Sequence, residues 1–500
     1  MTETTPVELK KFEDTSPEDL AMQLDASREA FAVYRKLSAG QRANFLRAIA
    51  AEIELIGDEL LEVAAAETKL PEARLRSERT RTVFQLRSYA EAAERGQHLE
   101  LRIDKTATGK SGIRKMNIPL GPVVVFGAAN FPFAYSTAGG DTACALAAGC
   151  TVIVKAHPAH SNTSELVAAA ISRAAALYHL PAGVFIHVHG VSSAVGRTLV
   201  EHPAVAAVGF TGSFTGGRQL FDWAMQRKVP IPVFAEMSSV NPVFLLPGKL
   251  ASDSSGCIEQ LAASIVLGQG QFCTNPGLLV ALDNETTDLF ISRLGERISA
   301  TVPGEMLNPG IFKNYVEKRG NALAQPGVEM KAVSATDPGL NEGAATLAVT
   351  SSATFLQNPL LQSEVFGPYS LLVKCRDAAD MLQVAKSIEG QLTTTLMATE
   401  EDLLDFPALS ETLQYNCGRF IWNGVPTGVE VVLAMQHGGP YPSTTDPRFT
   451  SVGADGIRRF VRPLAYQDWP DLLLPDELKD GNPLKIWRTV NNQLTDKAIG

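Results

Sequence analysis

Apolar residues in the first hundred positions recur every three or four residues, as they do on the buried face of a helix. They are Phe31, Tyr34, Phe45, Leu46, Ile49, Ile53, Ile56 and Leu60. Ser16 stands directly before Pro17, which is the usual order of an N-cap and a proline in the first helical turn. The pattern predicts helices over about residues 17–95.

Between about 98 and 118 the period changes from helical to alternating. The runs 98–103 and 113–118 place apolar and polar residues in turn, and the segment 107–112 between them contains glycine. Two alternating runs around a glycine-bearing turn predict a β-hairpin.

Short apolar runs then alternate with alanine- and leucine-rich stretches of helical period. The runs lie at 123–126, 152–154, 184–186 and 206–210. Strands separated by crossover helices predict a parallel sheet that is covered on both faces. Such sheets bind their ligands beyond the carboxyl ends of the strands.

A second α/β region runs from about 250 to 440. It contains a predicted helix at 251–267 and predicted strands at 278–282 and 369–374. The tail from Pro440 onward is rich in proline, so we predict it to be mostly loop. The predicted domains are residues 1–97 with 119–248, residues 249–440, and a separate element of 98–118 with 441–500.

Composition excludes several classes of function. The 500 residues are 45% hydrophobic with a formal net charge of −10, which argues against nucleic acid or an anionic membrane as a partner. The start Met1-Thr-Glu-Thr-Thr is acidic, and no run reaches the length of a membrane span. The cysteines have no metal-type spacing, and His187 and His189 without a carboxylate partner seldom form a metal site. We expect a cytoplasmic protein with reduced cysteines and no metal.

Cys273 lies in the most informative segment of the chain, between Gly268-Gln-Gly-Gln-Phe and Thr274-Asn-Pro-Gly. A turn of glycines and small polar residues favours a sulfur at the edge of a cavity, where backbone amides would lower its pKa. The alternative is a buried, inert thiol, and this segment alone does not decide between the two.

Three further segments follow predicted strands. The glycine-rich turn 211–217 would let backbone amides meet a pyrophosphate, and the alternative is a plain turn. Glu236 follows the apolar run 232–235, where a semi-buried carboxylate with a raised pKa would serve as a general base, and the alternative is an exposed loop glutamate. Asn130 would donate to a developing oxyanion, and the alternative is a turn asparagine.

Together these segments resemble the aldehyde dehydrogenase superfamily, in the right order over nearly the whole chain. The resemblance implies an aldehyde dehydrogenase-like fold, a Rossmann-type cofactor domain beside a catalytic domain. It implies that Cys273 is the nucleophile, Glu236 the general base and Asn130 the oxyanion donor. The cofactor contacts that it implies are Lys155 at the adenosine ribose, Gly212, Ser213 and Gly217 in the turn, and Glu364 and Phe366 at the nicotinamide.

The closer resemblance is to the branch of 2,5-dioxovalerate (α-ketoglutarate semialdehyde) dehydrogenases. It is carried by the segments 129–141, 241–247, 423–431 and 435–442, and by Met-Ser-Ser-Val after the base in place of Leu-Gly-Gly-Lys. The branch implies oxidation of 2,5-dioxovalerate to 2-oxoglutarate through a cysteine thiohemiacetal and a thioester. The alternative is a broad-specificity, NADP-dependent dehydrogenase of aliphatic aldehydes.

Pro158 bears on the cofactor. It stands three residues after Lys155, where NAD-preferring relatives usually carry a glutamate that repels a 2′-phosphate. We therefore expect NADP to be favoured, with NAD as the second choice. The resemblance also implies a homo-oligomer, either a dimer or a tetramer. The candidate cations for the keto acid of the substrate are Arg218, Arg419 and Arg448.

Other functions fit the residues less well. CoA-acylating and phosphate-linked relatives generally lack the base, so Glu236 argues against them, and a non-enzymatic scaffold would need none of the three catalytic residues. A cysteine hydrolase needs a histidine partner. The histidines without recognisable context for that role are His157, His160 and His437.

Overall fold

The protein is described by a computed structural model over residues 8–105 and 112–499. The acidic segment that begins at Met1 lies outside these residues, as does the predicted hairpin turn at 107–112 apart from its last residue. The helices of the described residues are α1 (Pro17–Tyr34), α2 (Ala39–Ile56), α3 (Glu59–Thr68), α4 (Glu72–Arg95), α5 (Gly140–Ala148), α6 (Ser161–Leu177), α7 (Ser193–Glu201), α8 (Phe214–Gln226), α9 (Pro247–Val266), α10 (Glu285–Ser299), α11 (Pro309–Leu323), α12 (Ser352–Gln357), α13 (Ala378–Ser387), α14 (Glu400–Asp405) and α15 (Pro407–Tyr415).

The strands of the same residues form four sheets. They are β1 (Arg102–Asp104), β2 (Ile113–Pro119), β3 (Val123–Phe126), β4 (Val152–Lys155), β5 (Phe185–Val188), β6 (Ala207–Thr211), β7 (Val233–Glu236), β8 (Val243–Leu245), β9 (Leu278–Leu282), β10 (Gly304–Glu305), β11 (Val328–Val333), β12 (Glu342–Gly343), β13 (Thr346–Ser351), β14 (Tyr369–Cys375), β15 (Gln391–Met397), β16 (Cys417–Trp422), β17 (Val461–Gln467), β18 (Arg488–Val490) and β19 (Gln493–Thr495).

Helices α1 to α4 occupy the region where apolar spacing predicts helices. Ser16 caps α1, because its hydroxyl accepts a hydrogen bond from the backbone N–H of Asp19 at 3.1 Å. The apolar residues that define the spacing lie in one core with α5, α6 and one face of the first sheet, where Phe45, Leu146 and Val152 are fully enclosed. The helical prediction is confirmed.

The first sheet holds five parallel strands in the order β5-β4-β3-β6-β7. Each lies within two residues of an apolar run in the sequence, and apolar cores cover both faces. The strand order reverses beside β3, because β4 and β5 lie on one side of it and β6 and β7 on the other. The loops after β3 and β6 therefore diverge and leave a crevice at the carboxyl ends of the strands.

The second sheet has the order β11-β13-β14-β9-β8-β15-β16, with β11 as an antiparallel edge on an otherwise parallel sheet. Strand β9 coincides with the predicted run 278–282, and α9 begins four residues before its predicted start. The short strands β10 and β12 pair separately.

The third sheet joins the predicted hairpin to the tail in the order β17-β2-β1-β18-β19. Arg102 lies opposite Lys115 in the antiparallel pair β1–β2, as predicted. The tail supplies β17, β18 and β19, so its prediction as loop was wrong for these strands. Strand β17 was not predicted because it contains Pro463, and a proline usually argues against a strand. Proline is tolerated here because β17 lies at the edge of the sheet. Within the described ranges, none of the helices combines the length and the apolar character that a membrane span requires.

Candidate functional site

Several predicted site residues meet at the carboxyl edge of the first sheet. Asn130 follows β3, Gly212 and Ser213 follow β6, and Glu236 ends β7. A cavity of about 840 Å³ opens at this edge and is lined by these residues together with Cys273. The volume is typical of a site for a small molecule or cofactor.

The turn between β6 and α8 presents a helix N-terminus to the cavity. Ser213 caps α8 by accepting a hydrogen bond from the N–H of Gly216 at 3.2 Å. A Cβ at Gly212 would lie 2.7 Å from Cζ of Phe210, so glycine keeps open a space that another residue would fill. Backbone N–H groups and the helix dipole favour an anion here. The turn therefore fits the pyrophosphate of a dinucleotide.

Three predicted cofactor residues do not line the cavity. A Cβ at Gly217 would lie 2.6 Å from Cγ of Met237, so this glycine lets α8 pack closely against the segment that follows β7. Lys155 ends β4, and Pro158 is exposed in the turn that follows. His157, between them, does line the cavity.

Glu364 and Phe366 border the cavity from the side of the second sheet. The Lys318 ammonium donates to the backbone oxygen of Glu364 at 3.0 Å. Desolvation raises the pKa of Glu364, and a hydrogen bond from Ser238 partly offsets the rise. This side of the cavity thus carries an acidic group and an aromatic ring, as the resemblance implies for the nicotinamide end.

A buried asparagine positions Cys273. Asn241 has a φ of 48°, in the left-handed region that asparagine tolerates, and its Nδ2 donates to the carbonyl oxygens of Cys273 and Asn275, both at 2.9 Å. Gly270 also has positive φ, and a Cβ there would lie 2.3 Å from the carbonyl of Gly367. The cysteine loop is held from two sides.

A histidine and a serine complete the group around the thiol. His437 Nε2 lies 3.0 Å from Oε1 of Glu236 and 3.6 Å from Sγ of Cys273. Ser451 donates to the other carboxylate oxygen, Oε2, at 2.6 Å. The side chains of Glu236 and His437 are only 3% and 1% exposed, whereas Cys273 is half-buried. The thiol, carboxylate and imidazole share one pocket that excludes most water.

This arrangement corrects the expectation that His437 lacks context as a partner for a cysteine. The segment that contains it runs beside β7, where the N–H of Met237 donates to the carbonyl of Ser443 at 2.7 Å and Glu236 pairs with Thr444. The signal available in the sequence was the segment 435–442, which carries the branch resemblance and contains this histidine. Sequence reasoning missed Ser451, and it placed Asn241 in the segment 241–247 of the branch resemblance without giving it a role at the cysteine.

The charges in the pocket also differ from the expectation. Desolvation raises the pKa of Cys273 well above its ordinary value, and the negative charge of Glu236 adds to the rise. For Glu236, desolvation alone would raise the pKa, but the charge of His437 and contacts from His437, Ser451 and Cys273 outweigh it, so the pKa is lowered. The predicted low thiol pKa and high carboxyl pKa were both wrong. At rest the carboxylate is charged and the thiol keeps its proton.

Asn130 lies beside the cysteine loop. Its Nδ2 donates to the backbone carbonyl of Gln271 at 3.1 Å, and its backbone carbonyl accepts from Arg74 at 3.2 Å. The Arg74 guanidinium lies 4.6 Å from the ring centre of Phe131 and 4.9 Å from that of Phe272. The amide of Asn130 is therefore held by Gln271, and its backbone by a cation between two aromatic rings.

Two of the three candidate arginines have carboxylate partners at the surface. Arg218 pairs with Asp222 at 2.9 Å, and Arg448 pairs with Asp446 at 2.5 Å. Their charges are compensated outside the pocket.

Arg419 is different, and a further arginine joins it. Arg419 donates to the carbonyls of Gly428, at 2.9 Å, and Pro426, and its charge acts on the cysteine thiol. Arg81, which sequence reasoning missed, donates to the carbonyl of Val429 in the same segment. Among the described residues, no carboxylate forms an ion pair with either guanidinium. The charge of Arg81 acts on the buried Glu78 carboxylate without a close ion pair.

His187 and His189 were predicted from the sequence to have no carboxylate partner, and this was wrong. Oε2 of Glu165 on α6 lies 3.1 Å from Nδ1 of His187 and 2.9 Å from Nε2 of His189. The hydrogen bond from His187 is the main reason that the pKa of Glu165 is lowered to about 2. Glu165 is 53% exposed, so this group lies at the surface.

A Rossmann-type sheet with a cavity that ends at a cysteine and a carboxylate defines a nucleotide-dependent enzyme that acts on a carbonyl carbon. The family model of the aldehyde dehydrogenases, described as the aldehyde dehydrogenase family, matches residues 2–463. The alpha-ketoglutaric semialdehyde dehydrogenase 2 of Azospirillum brasilense is 47% identical over 489 residues, which are 97% of this chain and 93% of that protein. The alpha-ketoglutaric semialdehyde dehydrogenase of Acinetobacter baylyi is 44% identical over 490 residues, which are again 97% of this chain and 93% of that protein.

Solved structures show the same fold. The glyceraldehyde-3-phosphate dehydrogenase GapN of Methanocaldococcus jannaschii, complexed with NADP, aligns over 92% of this chain and 96% of its own with a TM-score of 0.77 at 19% identity. The 1-pyrroline-5-carboxylate dehydrogenase from Thermus, with bound NAD, aligns over 91% and 86% with a TM-score of 0.78 at 20% identity. The chain belongs to the aldehyde dehydrogenase family. It is an oxidoreductase with a nicotinamide cofactor, and the predicted fold class is confirmed.

Proposed function

We propose that this protein oxidises 2,5-dioxovalerate (α-ketoglutarate semialdehyde) to 2-oxoglutarate with a nicotinamide cofactor. The observation that carries the proposal is that the guanidinium groups of Arg81 and Arg419, near the thiol pocket, form no ion pair with a carboxylate of the described residues. In a chain with a net charge of −10, such cations favour an anionic substrate. The two relatives at 47% and 44% identity carry this substrate in their names. An uncharged aliphatic aldehyde would leave both cations unused.

The first step is attack of Cys273 on the aldehyde carbon. The Glu236 carboxylate lies in contact with the thiol and takes its proton, while the His437 imidazole stabilises the thiolate. As the C–S bond forms, the carbonyl oxygen gains negative charge, and the amide of Asn130 and the backbone N–H of Cys273 donate to it. The chemistry that the cofactor supplies when bound is hydride acceptance, and loss of the hydride from the carbon leaves a thioester on Cys273.

Hydrolysis of the thioester requires Glu236 to be unprotonated again. Its lowered pKa favours the carboxylate at neutral pH. Ser451 holds Oε2 in place at 2.6 Å, and Oε1 faces the His437 imidazole at 3.0 Å. The carboxylate held in this way takes a proton from water. Glu236 also contacts Cys273, so it is placed to return that proton to the leaving sulfur. Attack of water then forms a C–O bond, breaks the C–S bond and returns the thiol of Cys273.

We propose NADP as the preferred cofactor and NAD as the weaker one. The residue three places after Lys155 is the exposed, uncharged Pro158, so no carboxylate at that position repels a 2′-phosphate. Pro158→Glu should lose activity with NADP and keep it with NAD. A wild-type kcat/KM that is higher for NAD would overturn the preference.

We also propose a homo-oligomer, a dimer or a tetramer. At the edge of the second sheet, β16 exposes 43% of Phe420 and 54% of Trp422, and β19 at the edge of the third sheet exposes 69% of Leu494. Large apolar side chains on unpaired edges favour association. A monomer in sedimentation velocity at micromolar concentration would contradict this. The six unpaired cysteines support a cytoplasmic location.

The test of the substrate is the kcat/KM of the purified protein for 2,5-dioxovalerate and for pentanal. We expect the keto acid to be much the better substrate. Arg419→Gln and Arg81→Gln should each raise its KM by about tenfold to a hundredfold, the value of a hydrogen bond to a charged group, and leave pentanal unaffected. Arg448→Gln is the matched control, because Arg448 is paired with Asp446 at the surface. Equal kcat/KM values for the two aldehydes would refute the substrate and leave the family assignment standing.

A further inference from the structure

The catalytic pocket brings together three atoms that are good ligands for a soft divalent metal. They are Sγ of Cys273, Nε2 of His437 and a carboxylate oxygen of Glu236, all within 4.8 Å of one another. Oε1 of Glu236 is buried and lies 3.0 Å from Nε2 of His437, its ion-pair partner. A buried carboxylate oxygen, an imidazole nitrogen and a thiol sulfur in one pocket form a donor set that binds zinc.

Two of the three separations between the ligand atoms are close to those of tetrahedral zinc. With Zn–S of about 2.3 Å and Zn–N of about 2.0–2.1 Å, tetrahedral angles place sulfur and nitrogen about 3.5 Å apart and nitrogen and oxygen about 3.3 Å apart. The observed separations are 3.6 Å between Sγ and Nε2 and 3.0 Å between Nε2 and Oε1. For these two pairs of atoms a zinc ion would require shifts of a few tenths of an ångström, and the third pair, Sγ and the carboxylate oxygen, lies within 4.8 Å.

The surrounding residues hold the ligands in place. Ser451 fixes the carboxylate through Oε2 at 2.6 Å, and Asn241 fixes the backbone of the cysteine at 2.9 Å. Such outer contacts orient metal ligands and raise affinity. The half-buried cysteine opens on the cavity, which gives the ion an entry path and leaves the fourth coordination position to water.

We propose that Cys273, Glu236 and His437 form a reversible zinc site, and that zinc bound there inhibits the enzyme in competition with the aldehyde. Binding forms a Zn–S bond and releases the thiol proton to solvent, so no oxidant or reductant is needed. The zinc-bound sulfur cannot attack the aldehyde. The inhibition rests on the proposed function, whereas the binding does not.

Binding is measured without substrate. Cobalt(II), a spectroscopic substitute for zinc, should give a thiolate-to-cobalt charge-transfer band with the wild-type protein and none with Cys273→Ser. Competition with a chromophoric chelator gives the zinc affinity. Loss of an outer contact alone costs about 10- to 100-fold in metal affinity, so His437→Phe, which removes a ligand, should weaken zinc binding by at least about a hundredfold.

His189→Asn is the matched control, because it disrupts the other group of three potential ligands in the described ranges, Glu165, His187 and His189. It should leave the cobalt band and the inhibition unchanged. Zinc should raise the KM for aldehyde, with full recovery after chelation.

A wild-type protein without the charge-transfer band, or an unchanged zinc affinity in His437→Phe, would overturn the zinc site. Inhibition that aldehyde does not relieve would overturn the competition. If the band forms but 2,5-dioxovalerate is not oxidised, the proposed substrate fails and the zinc site stands. If the substrate is oxidised and the band is absent, only the zinc site fails.

Discussion

Replacing His437 with asparagine should move the acid limb of thioester hydrolysis to higher pH. Glu236 acts as a base only when it is unprotonated, so the rate falls as the pH drops through its pKa. Nε2 of His437 lies 3.0 Å from Oε1. At an effective dielectric constant of about 20, a full charge at that distance is worth about 5–6 kcal/mol before desolvation.

Asparagine keeps one donor near the carboxylate but carries no charge. A hydrogen bond to a charged acceptor recovers about 1.5–3 kcal/mol, which leaves a net loss of about 3 kcal/mol. Because one pH unit corresponds to about 1.4 kcal/mol, the acid limb should rise by about two pH units. The lowered pKa of Glu236 in the wild type means that its own acid limb lies below the range of an ordinary carboxyl group.

The assay follows the burst and the steady-state rate of reduced cofactor as a function of pH. Wild type and variant should differ by about a hundredfold at low pH, the rate equivalent of 3 kcal/mol, and converge at high pH. His189→Asn, a histidine variant outside the pocket, should reproduce the wild-type profile. A uniform loss at every pH, with an unmoved acid limb, would show that His437 acts through packing and not through the charge of Glu236.

Three further predictions follow from the same pocket. Gly270→Ala should destabilise the fold by at least about 2 kcal/mol, because of its positive φ and the close backbone contact. The control Gly277→Ala should be tolerated, because its Cβ would meet nothing nearer than 3.4 Å. Equal melting temperatures for the two variants would contradict this. Ser451→Ala removes a hydrogen bond to Glu236 and should lower kcat about tenfold, mainly at low pH; an unchanged pH profile would count against it. Alkylation of Cys273 by iodoacetamide should be slow at neutral pH and accelerate as pH rises, because the thiol pKa is raised; a rate independent of pH above neutrality would refute that.

The regular elements were predictable because each has a distinct period. The helical spacing of Phe45, Ile49 and Ile53 and the apolar runs of the parallel strands reflect burial on one face or on two. Strand β17 was not predicted, because Pro463 indicates the end of a strand unless the strand is known to lie at the edge of a sheet. Local pattern therefore predicted elements well and the pairing of the tail poorly.

The site was predictable only where chemistry is local in sequence. Cys273, Glu236 and Asn130 each stand in a segment whose residue types suggest a role. His437 is 164 residues from Cys273 in the chain, and only the folded path of its segment beside β7 brings them together. The directions of the pKa shifts depend on burial and on that same contact, so the sequence could not supply them.

The most direct test of the account is to trap the acyl-enzyme. Glu236→Gln should slow both thiol activation and thioester hydrolysis, so 2,5-dioxovalerate with NADP should give a slow release of reduced cofactor that levels off at about one per site. Peptide mass spectrometry should then find the 2-oxoglutaryl group on Cys273. Release of reduced cofactor without an adduct, an adduct on another of the six cysteines, or an unchanged steady-state rate would contradict the assigned nucleophile and base.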